Sequence, residues 1–376
     1  MRAGRSTEAQ GWSKPAASKA TGEPLVPDLL LCLDWHLEGP PDLEREVLGE
    51  AYRLEVFRWA ERGRVPEDRL ATARALLCNY AVRVTGELLD RMPRLRVVTR
   101  CGVGYDNIDV EAAGRRGIAV LNVPDYGTMD IADHAIALAL SFLRGIPLYT
   151  TTLHEDPVGN WKFAAAPTVR RLATLTFAVV GLGRIGTATA LRAKALGMRV
   201  VFFDPYKPTG TELALGIERR ERLEELLAEA DVVSIHTPLT EETRGLIGRA
   251  ALAAIKPGAI LINTARGPIV DLEAVHAALL DGRLAAAGLD VLPEEPPSPD
   301  HPLIAAWRAP GSPLRHRLIL TPHAAWYTPS GVADVRRKSA AATRAFLETG
   351  RSRDLVNAAW LDAAAAAARA GRGSPA

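Results

Sequence analysis

Phe177-Ala178-Val179-Val180-Gly181-Leu182-Gly183-Arg184-Ile185-Gly186 reads as a strand running into G-x-G-x-x-G. Gly181 permits a tight turn, Gly183 lets the backbone approach a pyrophosphate, and Gly186 lets the following helix pack against the strand. The first helical turn, with Arg184 and Ile185, then presents free N–H groups and a positive dipole end to phosphates. By itself the pattern also fits a plain glycine turn, but an acid downstream sets it apart. The next strand, Val200–Phe203, ends in Asp204, eighteen residues after Gly186. A carboxylate there accepts both ribose hydroxyls of NAD and repels the 2′-phosphate of NADP, a phosphate that nearby Lys207 could instead pair. NAD is the expected cofactor.

Three other places offer chemistry. Arg266 follows a strand end and precedes Gly267, where a guanidinium can clamp a carboxylate bidentately; the bland alternative is a surface arginine after a turn. His323 follows the strand Leu318–Leu320 and a rigid Thr-Pro. Hydride addition to a ketone carbon leaves negative charge on oxygen, which calls for a proton from a group titrating near neutrality, and histidine suits that task. The chain has eight histidines, and His134 and His236 compete with His323 for the role. A carboxylate bonded to such an imidazole would favour the imidazolium and fix its tautomer, and the adjacent Glu294 and Glu295 compete for that position.

The elements that must position these residues alternate along the chain. Strand-like runs at Leu29–Leu33, Leu54–Arg58, Ala75–Leu77, Val97–Thr99 and Ala119–Leu121 are separated by helical patterns such as Asp42–Tyr52 and Asp109–Arg115. A long Ala/Leu/Ile helix from Asp130 to Leu143 is closed by Gly145 and Pro147. A second series follows at Thr176–Val180, Val200–Phe203, Val232–Ile235, Ala259–Ile262, Ala287–Asp290 and Leu318–Leu320. The prolines from Pro293 to Pro313 mark that stretch as loop. Such alternation means α/β architecture with two doubly wound parallel units, and ligands are expected in the crevice beyond the carboxyl ends of their strands.

Composition narrows the class. The chain has 376 residues, 48% hydrophobic and 24% charged, enough for two domains with real cores. Its 46 basic and 44 acidic residues give a net charge of +2 and no basic run, so neither nucleic acid nor membrane is an expected partner. The apolar stretch Ala135–Leu143 is too short to cross a bilayer. Cys32, Cys78 and Cys101 form no CxxC pair, which argues against a metal site or a disulfide framework and fits reduced thiols in a cytoplasmic protein. Residues 1–24 read as a disordered tail, and the alanine run from about Ala363 as a fraying helix ending in a loose tail.

Taken together, the motifs resemble the D-isomer-specific 2-hydroxyacid dehydrogenases, and within them the subgroup related to the C-terminal-binding-protein corepressors. The resemblance is carried by Arg100-Cys101-Gly102-Val103-Gly104-Tyr105-Asp106-Asn107-Ile108-Asp109, Asn122-Val123-Pro124-Asp125-Tyr126, the glycine loop and His236-Thr237-Pro238-Leu239-Thr240. It continues through Ile262-Asn263-Thr264-Ala265-Arg266-Gly267, Gly288-Leu289-Asp290-Val291 and Thr321-Pro322-His323-Ala324-Ala325-Trp326-Tyr327. The order holds from Leu25 to Asn357. Thr174, Ala178 and Leu292 depart from the residues common in relatives.

The resemblance implies two Rossmann-like domains, with a nucleotide-binding domain (128–317) inserted into a flavodoxin-like substrate domain (25–127 and 318–358), between tails at 1–24 and 359–376. It selects Arg266, Glu295 and His323 as the catalytic set, with Arg266 binding the substrate carboxylate. It assigns Val103 and Gly104 backbone to that carboxylate, Trp326 to the side-chain pocket, Asp290 to the nicotinamide amide and Thr128 to a cofactor phosphate. His236, Pro238 and Thr264 join the cofactor residues. A homodimer through the helix after Asp130 is expected, as is a small 2-keto or 2-hydroxy acid substrate. Two readings compete: an NAD(H)-sensing corepressor-like protein, and a formate or phosphite dehydrogenase on the same fold, of which Glu295 disfavours the formate branch. A long 3-phosphoglycerate dehydrogenase is disfavoured, because about fifty residues follow His323.

Overall fold

A computed structural model describes residues 27–58, 65–164, 166 and 168–370. The proposed tail at 1–24 lies outside them. The chain divides into two compact units, one formed by residues up to Gly127 together with those from Thr328 onward, the other by Thr128–Tyr327.

In the first unit, strands β1 (Asp28–Trp35), β2 (Tyr52–Arg58), β3 (Ala75–Cys78), β4 (Val97–Arg100) and β5 (Ala119–Leu121) form a parallel sheet of order β2-β1-β3-β4-β5. Helices α1 (Asp42–Leu48), α2 (Glu67–Thr72), α3 (Gly86–Asp90) and α4 (Val110–Arg115) connect them. Central strands such as Ala-Leu-Leu-Cys and Val-Val-Thr-Arg are buried along their whole length, as a parallel sheet covered on both faces requires.

The second unit opens with α5 (Thr128–Leu143) and α6 (Ile146–Glu155). It then alternates β6 (Thr176–Val180), α7 (Arg184–Ala195), β7 (Arg199–Phe203), α8 (Thr211–Leu215), β8 (Glu218–Arg219), α9 (Leu223–Glu229), β9 (Val232–Ile235) and α10 (Arg249–Ala254). It closes with β10 (Ala259–Asn263), α11 (Leu272–Leu280), β11 (Leu284–Leu289), α12 (Pro302–Arg308) and β12 (Leu318–Leu320). The sheet order is β12-β11-β10-β9-β6-β7-β8. Beyond Thr328 the chain adds α13 (Pro329–Thr349) and α14 (Ala358–Ala370) to the first unit.

Three expectations need correction. The return to the first unit was expected at residue 318, but β12 pairs with β11 in the seven-stranded sheet, so the crossing falls at Thr328. The Pro293–Pro313 stretch is not all loop: Pro302 occupies the first helical turn of α12, where a missing N–H costs nothing, and His301 Nδ1 accepts from Leu303 N–H at 3.2 Å. Residues 359–370 are no loose tail but α14, whose Leu361 is buried in the core. Asn357 ties its start down, accepting from Val120 N–H at 2.9 Å and donating to Ile118 O at 2.9 Å. One face of α5 lies in the core of the second unit. Ala135, Ile136, Leu138, Ala139, Phe142 and Leu143 pack into the same core as Phe177 and Phe202.

No single described helix is long and apolar enough to cross a membrane; α5 and α6 reach that length only as a pair bent by 58°.

Candidate active site

The strand order of the second unit reverses between β6 and β9, the switch point where open α/β sheets bind ligands. The glycine loop sits there. Gly181 has φ +90°, and a Cβ on it would lie 2.9 Å from the His236 carbonyl carbon, so the loop can abut the end of β9 only as glycine. A Cβ on Gly186 would fall 2.0 Å from Gly181 O and 3.2 Å from Val179 Cγ1, which is the close helix–strand approach the motif requires. Nothing lies within 4 Å of a Cβ placed on Gly183, the open side of the turn, where α7 begins with Arg184 and Ile185.

Asp204, at the end of β7, accepts from Leu182 N–H at 2.8 Å and from Tyr206 N–H at 3.0 Å. It thereby couples the glycine loop to the next strand, and each oxygen keeps acceptor capacity for a hydroxyl. Three hydroxyls in this unit are buried without a hydrogen-bond partner: Oγ1 of Thr128, Thr237 and Thr264. Buried polar atoms are satisfied in the great majority of cases, so three orphans beside the predicted cofactor residues fit a polar ligand with hydroxyl and phosphate oxygens. The site therefore fits a dinucleotide. Pro238, next to Thr237, accepts through its carbonyl from Thr243 Oγ1 at 2.6 Å.

The catalytic candidates follow the carboxyl ends of β10, β11 and β12. His323 Nδ1 lies 2.8 Å from Glu295 Oε2, and Glu295 Oε1 accepts from Leu292 N–H at 2.9 Å. Burial alone would raise the Glu295 carboxyl. The hydrogen bond and charge of His323, the Leu292 N–H and the charge of Arg266 together outweigh burial and hold it below the usual carboxylate range. Glu294 is exposed. Arg266 is set by its surroundings: Asn263 Nδ2 donates to Arg266 O at 2.9 Å, and Asn263 Oδ1 accepts from Ala265 N–H at 3.0 Å. A Cβ on Gly267 would lie 1.9 Å from the Leu292 carbonyl carbon. The absent side chain is what lets the Arg266 loop lie against the loop bearing Glu295.

The rival histidines are engaged with other partners. His236 Nε2 is 2.8 Å from Ser234 Oγ, and desolvation pushes its imidazole down to about 3, too low to deliver a proton near neutrality. His134, on α5, is 3.1 Å from Thr321 Oγ1. Asp290, expected at the nicotinamide amide, already accepts from Thr321, Ala324 and Ala325, so it organises the His323 loop whatever else it binds. Trp326 is half-buried and meets Tyr327 edge-on at 6.0 Å between ring centroids, while Tyr327 is mostly exposed.

Val103 and Gly104 belong to the first unit, in the loop after β4. Asn122 Nδ2 donates to Val103 O at 2.7 Å and Val123 N–H to Gly102 O at 3.0 Å, fixing that loop. Sequence reasoning missed its neighbour. The first unit switches between β1 and β3, and there buried Asp34 accepts from the N–H groups of Asn79, Ala81 and Val82 at 2.9, 3.2 and 3.2 Å. The available signal was an acid closing the apolar run Leu29–Leu33. Among the described residues no group of three or more His, Cys, Asp or Glu is placed to hold a metal ion.

Comparison with known proteins agrees with this geometry. The family model described as D-isomer specific 2-hydroxyacid dehydrogenase, NAD binding domain, matches residues 136–325. A D-3-phosphoglycerate dehydrogenase of Methanocaldococcus jannaschii is 37% identical over 268 residues, which are 71% of this chain and 50% of the relative. A glyoxylate reductase of Korarchaeum cryptofilum is 40% identical over 261 residues, 69% of this chain and 75% of the relative. The crystal structure of a D-lactate dehydrogenase from Aquifex aeolicus, complexed with NAD and lactic acid, matches with a TM-score of 0.74 at 28% identity, covering 88% of this chain and 99% of that one. The chain spans about half the length of the D-3-phosphoglycerate dehydrogenases it matches.

Proposed function

This chain belongs to the D-isomer specific 2-hydroxyacid dehydrogenase family, and we propose that it catalyses the NAD-dependent interconversion of 2-keto acids and D-2-hydroxy acids. The observation that carries the reading is the 2.8 Å contact of His323 Nδ1 with Glu295 Oε2, in a loop packed against that of Arg266. With Nδ1 committed to a carboxylate, Nε2 is the ring atom that exchanges a proton with the substrate oxygen. Glu295 stays ionised and stabilises the imidazolium. Arg266 binds the substrate carboxylate bidentately and so aligns the ketone. Val103 and Gly104 offer backbone N–H groups to a carboxylate, and Trp326 walls the side-chain pocket.

NAD, when bound, supplies or accepts the hydride. Gly181, Gly183, Arg184, Ile185 and Gly186 would hold its phosphates, with Thr128 joining them. Asp204 would take the ribose hydroxyls and exclude a 2′-phosphate, and Thr264, His236, Pro238 and Asp290 would line the rest. The orphaned hydroxyls support this assignment. NADH oxidation against glyoxylate, hydroxypyruvate, pyruvate, phenylpyruvate and branched 2-keto acids, with NADPH in parallel, tests it; no turnover on any of them sinks the reading.

The relatives compared carry the names of dehydrogenases and a reductase, which favours turnover over the regulatory role of the corepressor subgroup. A purely regulatory protein would recruit a partner in an NADH-dependent manner without turnover. The reading includes a cytoplasmic homodimer. Its interface is best sought on α6 and the loop after it, where Val158, Trp161 and Phe163 are more than four-fifths exposed in the single chain and Ile146 about half exposed.

A further inference from the structure

Asp290 holds the backbone of three consecutive residues from His323 on, two through its buried carboxylate and one through its carbonyl. Asp290, only 2% exposed, accepts from Ala324 N–H through Oδ1 at 2.9 Å and from Ala325 N–H through Oδ2 at 3.0 Å. Its carbonyl accepts from His323 N–H at 2.8 Å. His323 stands at φ +52°, in the left-handed region that residues with a side chain adopt uncommonly. The direction of its ring therefore depends on this anchoring.

Asp290 is itself steered from one side. Thr321 Oγ1 lies 2.5 Å from Asp290 Oδ1, and His134 Nε2 lies 3.1 Å from the same hydroxyl and 3.8 Å from Oδ1. A hydroxyl has one proton and a carboxylate only accepts, so Thr321 gives its proton to Asp290. That leaves the Thr321 oxygen as acceptor, and His134 must carry its proton on Nε2 and donate it there. The chain of donation thus runs from His134 to Thr321 to Asp290 Oδ1, where Ala324 N–H also donates, while Ala325 N–H donates to Oδ2. Its members polarise one another around the buried Asp290 carboxylate, while His134 keeps about a quarter of its side chain exposed.

We infer that His134 and Thr321 are positioning residues that orient the Asp290 carboxylate and, through it, the loop that aims His323. Nothing in the proton-transfer scheme above uses either of them, and the inference rests on His323 being the acid/base of that scheme. His134 acts from α5, an element otherwise engaged in packing.

The test uses the full chain and four substitutions: His134→Leu and Thr321→Val remove a donor, while His134→Gln and Thr321→Ser return one. Two readouts are taken, steady-state reduction of the best 2-keto acid from the screen and hydrogen–deuterium exchange of the peptide spanning residues 318–327. The expected result is a roughly tenfold fall in kcat for His134→Leu and Thr321→Val, with KM and NADH affinity within about threefold, and faster exchange at the loop amides. His134→Gln and Thr321→Ser recover both readouts, and the double Leu/Val variant is no worse than Thr321→Val alone, since both break one chain. If Thr321→Val does not fold, the contrast of Leu with Gln at position 134 decides. Unchanged kcat in His134→Leu, a Gln variant no better than Leu, or losses that multiply in the double variant would overturn the inference. A parent that reduces no 2-keto acid removes the functional reading instead, and the exchange data still decide whether His134 and Thr321 hold the loop.

Discussion

His323 and Glu295 meet through one ring nitrogen and one carboxylate oxygen, Nδ1 and Oε2, 2.8 Å apart, and the second carboxylate oxygen is held by Leu292 N–H. Glu295 is therefore oriented from behind by the backbone, and its bond to the imidazole is directional rather than a loose ion pair.

Replacing Glu295 by Gln keeps the size and one acceptor but removes the charge that stabilises the imidazolium. The acidic limb that the lowered Glu295 carboxyl gives the parent should disappear from the kcat/KM profile for keto-acid reduction, and kcat/KM at neutral pH should fall about tenfold. In the parent, the lowered Glu295 carboxyl stays ionised as pH falls through the ordinary carboxylate range, so its support of the imidazolium fails only below that range. Its stabilising effect on the fold, already small for a group about a third exposed, is lost in the same acidic window. An acidic limb that persists in Glu295→Gln would exclude Glu295 as the partner.

Arg266→Ala should raise KM for every 2-keto acid and lower kcat as well, with kcat/KM down about a hundredfold, the equivalent of roughly 2–3 kcal/mol for a charge-assisted bidentate contact. NADH affinity should be nearly untouched. Arg266→Lys should recover only part of the loss, since an ammonium cannot match the fork of a guanidinium. Steady-state kinetics with NADH titrations separate these outcomes.

Asp204→Ala should erode the preference for NADH over NADPH by about tenfold or more in kcat/KM. Because Asp204 also accepts from Leu182 N–H, the variant should bind NADH more weakly than a pure selectivity change implies. A parent equally efficient with both cofactors would refute the assignment.

Gly267→Ala places a methyl group 1.9 Å from the Leu292 carbonyl carbon, which is backbone and cannot swing aside. The two loops must part. We expect a cost of about 3 kcal/mol or more, read as a lowered Tm, and a fall in kcat/KM beyond a hundredfold as Arg266 and Glu295 separate. Wild-type kinetics in this variant would mean that the close approach of the loops is unimportant.

Trp161→Glu with Phe163→Glu should leave a monomer by light scattering at micromolar concentration, whereas the parent should run as a dimer. A parent monomer would remove the homodimer from the proposed function.

The strands were legible because a parallel sheet buried on both faces writes itself as short continuous apolar runs, as in Thr176–Val180 and Val232–Ile235. The glycine loop was legible because each glycine answers a local demand. What the pattern hid depended on distant partners. Leu318–Leu320 reads the same whichever sheet it joins, so the domain crossing was placed ten residues early. Proline spacing hid α12, because Pro302 is compatible with a first turn. The alanine run at the C-terminus carries no periodicity of its own, and only the contacts of Leu361 and Asn357 reveal that α14 belongs to the core. The choice between Glu294 and Glu295 needed the family spacing, since adjacent residues differ only in where the loop points them.

The order of the chain has a consequence for synthesis. Residues Thr128–Tyr327 are one continuous stretch, so that unit has all its strands once Leu320 has left the ribosome. The earlier-made sheet does not share this advantage. Leu30, Cys32, Leu54, Leu77 and Val97 on one of its faces pack with Ala340, Phe346, Leu347 and Leu361, which are translated after the whole second unit. That face waits uncovered while some two hundred residues are added, for ten seconds or more at about 5–20 residues per second. A nascent chain halted near Tyr327 should accordingly bind holdase chaperones through β1–β5 and be cut there by protease, while the stretch made after it already resists.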